Sequence, residues 1–220
     1  MTYVFQFRDV LAYWPALLHG VGVTLLLAIV AMAGGLLIGI LGASLQLYGS
    51  APLRLTVTSY VEAIRNTPLL IQLFIVFFGL SQIGLRLDAP VAAAVALIVN
   101  VGAYATEIVR AGLQAIPRTQ IEAGHALGLS GLQVFRYVVL LPALIIMFPA
   151  LSSQFTLLLL ATSVVSLISV EDLFHTASII QSRTFRDFEV YAVVGVVYLT
   201  LALTCRAGLA LIYQGAFGRR

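Results

Sequence analysis

The composition identifies the environment of this chain before any motif is considered. It has 220 residues, of which 61% are hydrophobic and 10% charged, and its mean hydropathy is +1.05. Soluble domains average roughly 45–50% apolar and about 25% charged residues, so this composition is typical of an integral membrane protein. All twelve basic residues are arginine, which excludes a P-loop, because that motif requires a lysine. The arginines are scattered along the chain, which argues against a nucleic-acid partner.

Long charge-free runs predict an all-α fold with five membrane-spanning helices. About 20 apolar residues are needed to cross a bilayer. The spans are predicted over residues 21–47, 57–80, 89–110, 143–170 and 190–213, within a single transmembrane domain that covers residues 1–220. Pro68 is expected to kink or break the second span, because a proline inside a helix removes a backbone hydrogen bond.

Four glycines in the first predicted span fall near one helical face: Gly34, Gly35, Gly39 and Gly42. Small residues at this spacing allow a second helix to approach closely. The alternative is that they represent the ordinary glycine content of a membrane helix.

The distribution of arginines predicts the orientation of the spans. With the N-terminus outside and the C-terminus cytoplasmic, eight arginines face the cytoplasm and four face out. The inner set is Arg54, Arg65, Arg110, Arg118, Arg136, Arg206, Arg219 and Arg220, and the outer set is Arg8, Arg86, Arg183 and Arg186. This excess agrees with the positive-inside rule.

A polar segment, residues 117–142, separates the third and fourth spans and is too polar to lie in lipid. Two pairs in it have the spacing of a capping box: Thr119 with Glu122, and Ser130 with Gln133. Gly128 is placed to end the first of two short helices, and Pro142 is expected to end the second. Small residues at Ala123 and Gly124 would let another protein approach closely. The segment is therefore predicted to be a rigid cytoplasmic projection, the alternative being a connecting loop without a partner.

Several stretches resemble one family. "IEAGHALGLSGLQVFRYVVLLPAL" (121–144) is similar to the cytoplasmic "EAA" loop of permease subunits in bacterial ATP-binding-cassette (ABC) importers. "RNTPLLIQLFIVFFGL" (65–80) and "GAYATEIVRAGLQAIPRTQ" (102–120) resemble the polar amino-acid permeases among them. "LLHGVGVTLLLAI" (17–29) and "TSVVSLISVEDL" (162–173) do so as well.

The resemblance implies a set of partners in the bacterial inner membrane. These are a dimer of cytoplasmic ATP-binding subunits, a second permease subunit that is the same or homologous, and a periplasmic substrate-binding protein. ATP and Mg²⁺ would be bound by the ATPase, so this chain is expected to need no cofactor and to be no enzyme. The coupling surface it implies, with a coupling helix docked in a groove of the ATPase, consists of Glu122, Ala123, Gly124, Gly128, Leu129 and Ser130.

Polar residues in or beside the spans form the candidate substrate pathway. They are Thr67, Pro68, Gln72, Tyr104, Glu107, Gln154, Thr162 and Ser163. Glu107 and Arg110 are three residues apart, so they can pair with each other or contact a ligand. The resemblance implies acids at the positions of Gln154 and Ala161 in importers of cationic amino acids. Since both residues are neutral here, a neutral or acidic amino acid such as glutamine or glutamate is favoured.

The sequence also bears on metal, disulfide, secondary-transport and enzymatic alternatives. Glu171, Asp172 and His175 have a spacing that suits metal ligands, but a helix cap or a contact with the binding protein is the favoured interpretation, so no metal site is predicted. Cys205 is the only cysteine, which excludes an internal disulfide. The alternative function is a secondary transporter of small polar solutes driven by an ion gradient, although such proteins often show internal repeats. A membrane enzyme would need a catalytic motif such as H-E-x-x-H, which the sequence lacks.

Overall fold

The computed structural model describes residues 5–218 as an all-helical bundle. Taking contiguous helical turns together, its helices are α1 (Phe7–Leu11), α2 (Trp14–Tyr48), α3 (Ala51–Arg65), α4 (Leu69–Gln82), α5 (Ala89–Gln114), α6 (Arg118–Ala126), α7 (Gly131–Ile168), α8 (Leu173–Thr184) and α9 (Asp187–Phe217). Within the described residues, α2, α5, α7 and α9 are long and apolar enough to cross a membrane, and the bent pair α3–α4 is a fifth candidate. The all-α membrane fold is thus confirmed.

The second predicted span is a broken helix. The axes of α3 and α4 meet at 109°. Pro68 is the N-cap of α4, with φ −62° and ψ 138°, and the residue before a proline disfavours the helical conformation. The break expected at Pro68 is confirmed. A single helix over residues 57–80 is not observed, and α3 already begins at Ala51 because Pro52 fits the first turn of a helix.

The glycine face of α2 packs directly against α5. A Cβ atom on Gly39 would lie 2.8 Å from the carbonyl carbon of Ala105, and one on Gly35 would lie 2.6 Å from Cβ of Val101. The glycines therefore permit a close helix contact, which was the first of the two alternatives. Since residue numbers rise together along the contact, α2 and α5 run parallel.

The helix that contains the fourth predicted span differs most from expectation. Pro142 does not end a helix, because α7 continues through it from Gly131 to Ile168. A π-helical turn, Phe135–Val139, comes just before Pro142. Such a bulge widens the helix and alters its hydrogen bonding, so the missing N–H and the bulk of the ring are accommodated without a break.

The two ends of the bundle carry different elements. At one end α8 packs on the first turns of α2, where Leu173 N–H donates to Thr24 Oγ1 at 3.2 Å. The helix begins at Trp14, seven residues before the predicted span, with Pro15 in its first turn and Leu17 buried in the same cluster as Leu173. At the other end lie α6 and the start of α7. Arg219 and Arg220, which contribute to the predicted orientation, lie outside the described residues.

Candidate functional site

The turn after α6 is fixed by Gly128. Its φ is +80°, a left-handed conformation that glycine adopts without the steric cost of a Cβ atom. The N–H of Gly128 donates to the carbonyl of His125 at 2.9 Å, and the N–H of Leu129 donates to that of Gly124 at 3.2 Å. These two bonds form a Schellman motif. The predicted role of Gly128 as the residue that ends this helix is confirmed.

One of the two predicted capping boxes is present. At the start of α7, the Ser130 N–H donates to Gln133 Oε1 at 2.8 Å, and the reciprocal bond is also made. The predicted box at Thr119 and Glu122 is wrong. The N-cap of α6 is Pro117, which has no side-chain cap, so Thr119 already lies within the first turn.

The tip between α6 and α7, residues 127–132, carries apolar side chains that are exposed to solvent. Leu127 is 82% exposed and Leu132 is 78% exposed, on either side of the Gly128 turn. Glu122 and Ala123 are exposed on α6. Large apolar side chains on a polar projection outside the spans are typical of a protein-binding surface.

Gly124 does not face outward as its small size suggested. It is buried, and a Cβ there would lie 3.1 Å from Cγ2 of Val134 and 3.4 Å from Cγ2 of Val138. The expectation that Gly124 lets a partner approach closely is therefore wrong. Its size lets α6 pack tightly on α7, which holds the two helices of the projection together.

A polar knot, formed by the hydrogen-bonded side chains of Gln72, Thr67 and Asn100, stabilises the break between α3 and α4. The buried Gln72 amide nitrogen lies 2.8 Å from the carbonyl of Ile64, 3.0 Å from that of Thr67 and 2.9 Å from Thr67 Oγ1. The amide oxygen of Gln72 accepts from Asn100 Nδ2 at 2.9 Å, which ties the break to α5. Carbonyls that the broken helix leaves without partners are thereby satisfied inside the bundle.

Replacing Gln72 by leucine should lower the thermal stability of the purified chain. The substitution removes the donor to the Thr67 carbonyl and the shortest bond to the Ile64 carbonyl, which keeps its weaker bonds from Thr67, a loss of about 1–3 kcal/mol. Gln82→Leu is the matched control, because Gln82 is an exposed residue of the same α4. Equal melting temperatures for the two variants would show that the knot does not hold the break.

Charged groups beside the knot are paired. Arg110 makes two hydrogen bonds to Glu107, from Nε at 3.1 Å and from Nη2 at 2.7 Å. Arg65 of α3 lies 3.9 Å from the same carboxylate and 5.5 Å from the centre of the Tyr104 ring. Of the two alternatives stated for Glu107, pairing with Arg110 is observed, and the pair also links α3 to α5.

The remaining candidate pathway residues lie on α7. Gln154 is half-buried, and its side chain makes no hydrogen bond among residues 5–218. Thr162 is fully buried and donates to the carbonyl of Leu159, and Ser163 donates to that of Leu160, both at 2.8 Å. The structure thus gathers Thr67, Pro68, Gln72, Tyr104 and Glu107 around the break, while Gln154, Thr162 and Ser163 belong to a separate helix. Among these three, Gln154 has the side chain with unused hydrogen-bonding capacity.

A second polar network lies at the opposite end of the bundle. Asp172 is fully buried and caps α8, its Oδ1 accepting from the His175 N–H at 2.8 Å. The helix-cap interpretation of Asp172 is confirmed. The hydroxyl of Tyr198 on α9 donates to Asp172 Oδ2 at 3.4 Å. Sequence reasoning did not single out Tyr198, although a tyrosine within an apolar span usually signals a buried partner for its hydroxyl.

Asp172 should make stability depend on pH. Burial raises the pKa of its carboxyl above the ordinary value of 3.8, more than its hydrogen bonds lower it. The folded state therefore binds the proton more tightly than the unfolded state, and this contribution to stability falls as pH rises from 3.8 through the folded pKa. Asp172→Asn, which keeps a good N-cap residue, should flatten this part of the dependence of melting temperature on pH.

The control for that measurement is Asp88→Asn. Asp88 is also an N-cap residue, of α5, but it is exposed. Its replacement should leave the pH dependence close to that of the wild-type chain. An unchanged slope in Asp172→Asn would contradict the assignment.

Known proteins with the same fold supply the context for these sites. The chain is 36% identical to the probable glutamine ABC transporter permease GlnM of Bacillus subtilis, over 84% of this chain and 86% of that protein. It is also 36% identical to the glutamine transport permease GlnP of Escherichia coli K12, over 87% and 90% of the two chains. A crystal structure of an amino acid ABC transporter with histidines superposes with a TM-score of 0.90 at 36% identity, covering 96% of this chain and 99% of that one.

The family signature described as "Binding-protein-dependent transport system inner membrane component" matches residues 35–217, which include the break, the projection and the Asp172 network. Membership of this family implies a system with an ATPase and a binding protein. The chain therefore belongs to the polar amino-acid branch of the binding-protein-dependent ABC transporter permeases, as a multi-pass inner-membrane component that is not itself catalytic.

Proposed function

We propose that this permease moves polar amino acids into the cell by alternating access, driven by ATP hydrolysis in a separate subunit. The observation that carries the proposal is the projection at residues 117–142, whose tip leaves Leu127 and Leu132 bare. A loop that only connected two spans would not need large apolar side chains exposed at its tip. With this end in the cytoplasm and the N-terminus outside, as the arginines favour, the tip meets the ATPase.

The coupling surface consists of exposed residues held on a rigid support. Glu122 and Ala123 of α6 face outward, and Gly128, Leu129 and Ser130 form the turn that follows. Because Gly124 locks α6 onto α7, a displacement of the tip is passed to α7, which continues without interruption to Ile168. Closure of the ATPase dimer on ATP would in this way tilt a whole span. A second permease subunit, identical or homologous, would form the other wall of the pathway.

The amino acid carried is proposed to be neutral or acidic. Gln154 and Ala161 supply no carboxylate for a cationic side chain, and both glutamate residues of the cytoplasmic half near the break, Glu62 and Glu107, are already hydrogen-bonded. The two curated relatives are named for glutamine. The histidines in the related crystal structure make histidine the comparison substrate to test.

The test is uptake into vesicles that contain the chain with its ATPase and second permease subunit, with the binding protein added outside. Glutamine uptake should require ATP and should survive ionophores that collapse ion gradients. Gln154→Ala should change the preference between glutamine, glutamate and histidine. Uptake driven by an ion gradient without the ATPase would instead establish a secondary transporter, and an unchanged preference would move substrate recognition to the partner subunit.

A further inference from the structure

A groove separate from the candidate pathway opens between α7 and α9. Its volume is about 540 Å³. Six polar side chains line it: Ser152, Ser153, Thr156, Arg206, Tyr213 and Gln214. The lining contains no acidic residue within the described part of the chain, and the other walls are apolar. The groove lies beside the face of α7 that packs on α5 through Met147.

The groove offers hydrogen-bond donors without a matching negative charge. The side chain of Arg206 is exposed and, among residues 5–218, has no ion pair or hydrogen bond, whereas Arg110 is paired with Glu107 at 2.7 Å. The hydroxyls of Ser152 and Ser153 are likewise unbonded within the described residues, although Thr156 donates to the Ser152 carbonyl. A guanidinium beside free hydroxyls is complementary to an anion.

The depth of Arg206 matches the edge of the hydrocarbon layer. Residues 190–205 of α9 carry no charge and span about 24 Å at 1.5 Å per residue. In α5 the first charge after Ala89 is Glu107, at a comparable depth of about 27 Å. A hydrocarbon core is about 30 Å thick, so both charges lie where lipid headgroups begin, within reach of a long side chain.

Aromatic residues lie beyond Arg206 toward the end of α9, since Tyr213 and Phe217 follow it by about 10 and 16 Å at 1.5 Å per residue. The rings of Phe148, Tyr213 and Phe217 form a cluster with centroids 5.4–5.9 Å apart at the end of the groove. Tyrosine is enriched at membrane–water interfaces. Leu203, one turn from Arg206 toward the charge-free part of α9, is exposed and suits contact with an acyl chain.

We propose that this groove binds the phosphate of an anionic phospholipid, with Arg206 as its principal contact and the two serine hydroxyls as further donors. The assignment to the cytoplasmic leaflet rests on the proposed orientation, but the site itself does not. Basic pockets between membrane helices are known to select anionic headgroups.

The experiment measures lipid binding by the full chain, purified in detergent and stripped of lipid. Native mass spectrometry and melting temperature are followed while phosphatidylglycerol or phosphatidylcholine is added. Phosphatidylglycerol should bind and stabilise the wild-type chain, and phosphatidylcholine should not. Arg206→Gln should weaken phosphatidylglycerol binding about five- to tenfold, the effect of losing one charge-assisted contact. Arg183→Gln, which removes an exposed arginine of α8, should leave it unchanged.

A second variant separates the site from general effects of charge. Ser153→Leu keeps Arg206 and fills the groove with a residue that membrane helices tolerate, so phosphatidylglycerol binding should again fall. Wild-type binding in Arg206→Gln would overturn the proposal. So would displacement of the lipid by inorganic phosphate, which would identify a free-anion site, or a loss of permease dimers without loss of lipid, which would identify a subunit interface. Altered amino-acid binding with unchanged lipid binding would assign the groove to the substrate.

Discussion

Replacing Gly39 by leucine is expected to prevent the chain from folding stably. A Cβ atom at this position would lie 2.8 Å from the backbone carbonyl carbon of Ala105 and 3.0 Å from the nitrogen of Thr106. Backbone atoms cannot rotate out of the way, so α2 and α5 would have to separate. Overpacking of a core side chain costs about 1–3 kcal/mol, and here a whole helix contact is lost, so the expected destabilisation is larger than about 3 kcal/mol.

The measurement is the yield and melting temperature of the purified full chain. Gly22→Leu is the matched control, because it makes the same change in the same helix at a position with no neighbouring atom within 4 Å. The control should fold as the wild type does. If Gly39→Leu were as stable as Gly22→Leu, the glycine face would not be the contact that joins these two spans.

Features that depend on neighbouring residues were predictable from the sequence. Pro68 breaks its helix, Gly128 ends α6 and Ser130 begins α7 because each acts through its own φ, its own side chain or a missing N–H. The close contact at Gly39 was one of two stated alternatives. To choose between the alternatives, the helix that faces Gly39 must be known, and hydrophobic periodicity does not identify it.

Features that depend on distant or compensating contacts were not predictable. The small size of Gly124 predicts that it faces a partner, but it packs on Val134 and Val138 because α6 folds back onto α7. Pro142 predicts the end of a helix, but the π turn before it shifts the backbone hydrogen bonds, so the helix continues through the proline. The sequence signal of a helix breaker is local, whereas its outcome depends on whether the backbone around it can adjust. The same limit applies to Gln72, whose three acceptors come together only when the chain bends.

Replacing Gly128 by valine is expected to uncouple ATP hydrolysis from transport without preventing membrane insertion. At φ +80° a β-branched side chain is strained, at a cost of about 1–3 kcal/mol. Relief of this strain would break the bonds from Gly128 to His125 and from Leu129 to Gly124, so the tip would lose its fixed geometry. In the reconstituted transporter, ATP-driven uptake should fall at least about fivefold, the factor that a barrier increase of about 1 kcal/mol gives.

Gly131→Val is the matched control for Gly128→Val. Gly131 lies three residues away, in the first turn of α7, with no neighbouring atom within 4 Å and no positive φ. Its replacement adds the same side chain to the same projection, so uptake per molecule of ATP should remain close to wild type. The ratio of ATP hydrolysed to substrate moved distinguishes loss of coupling from loss of assembly, because an unassembled complex would lose stimulated hydrolysis as well. Normal uptake by Gly128→Val, in a complex that still contains the ATPase, would show that the rigid turn is not what transmits the motion.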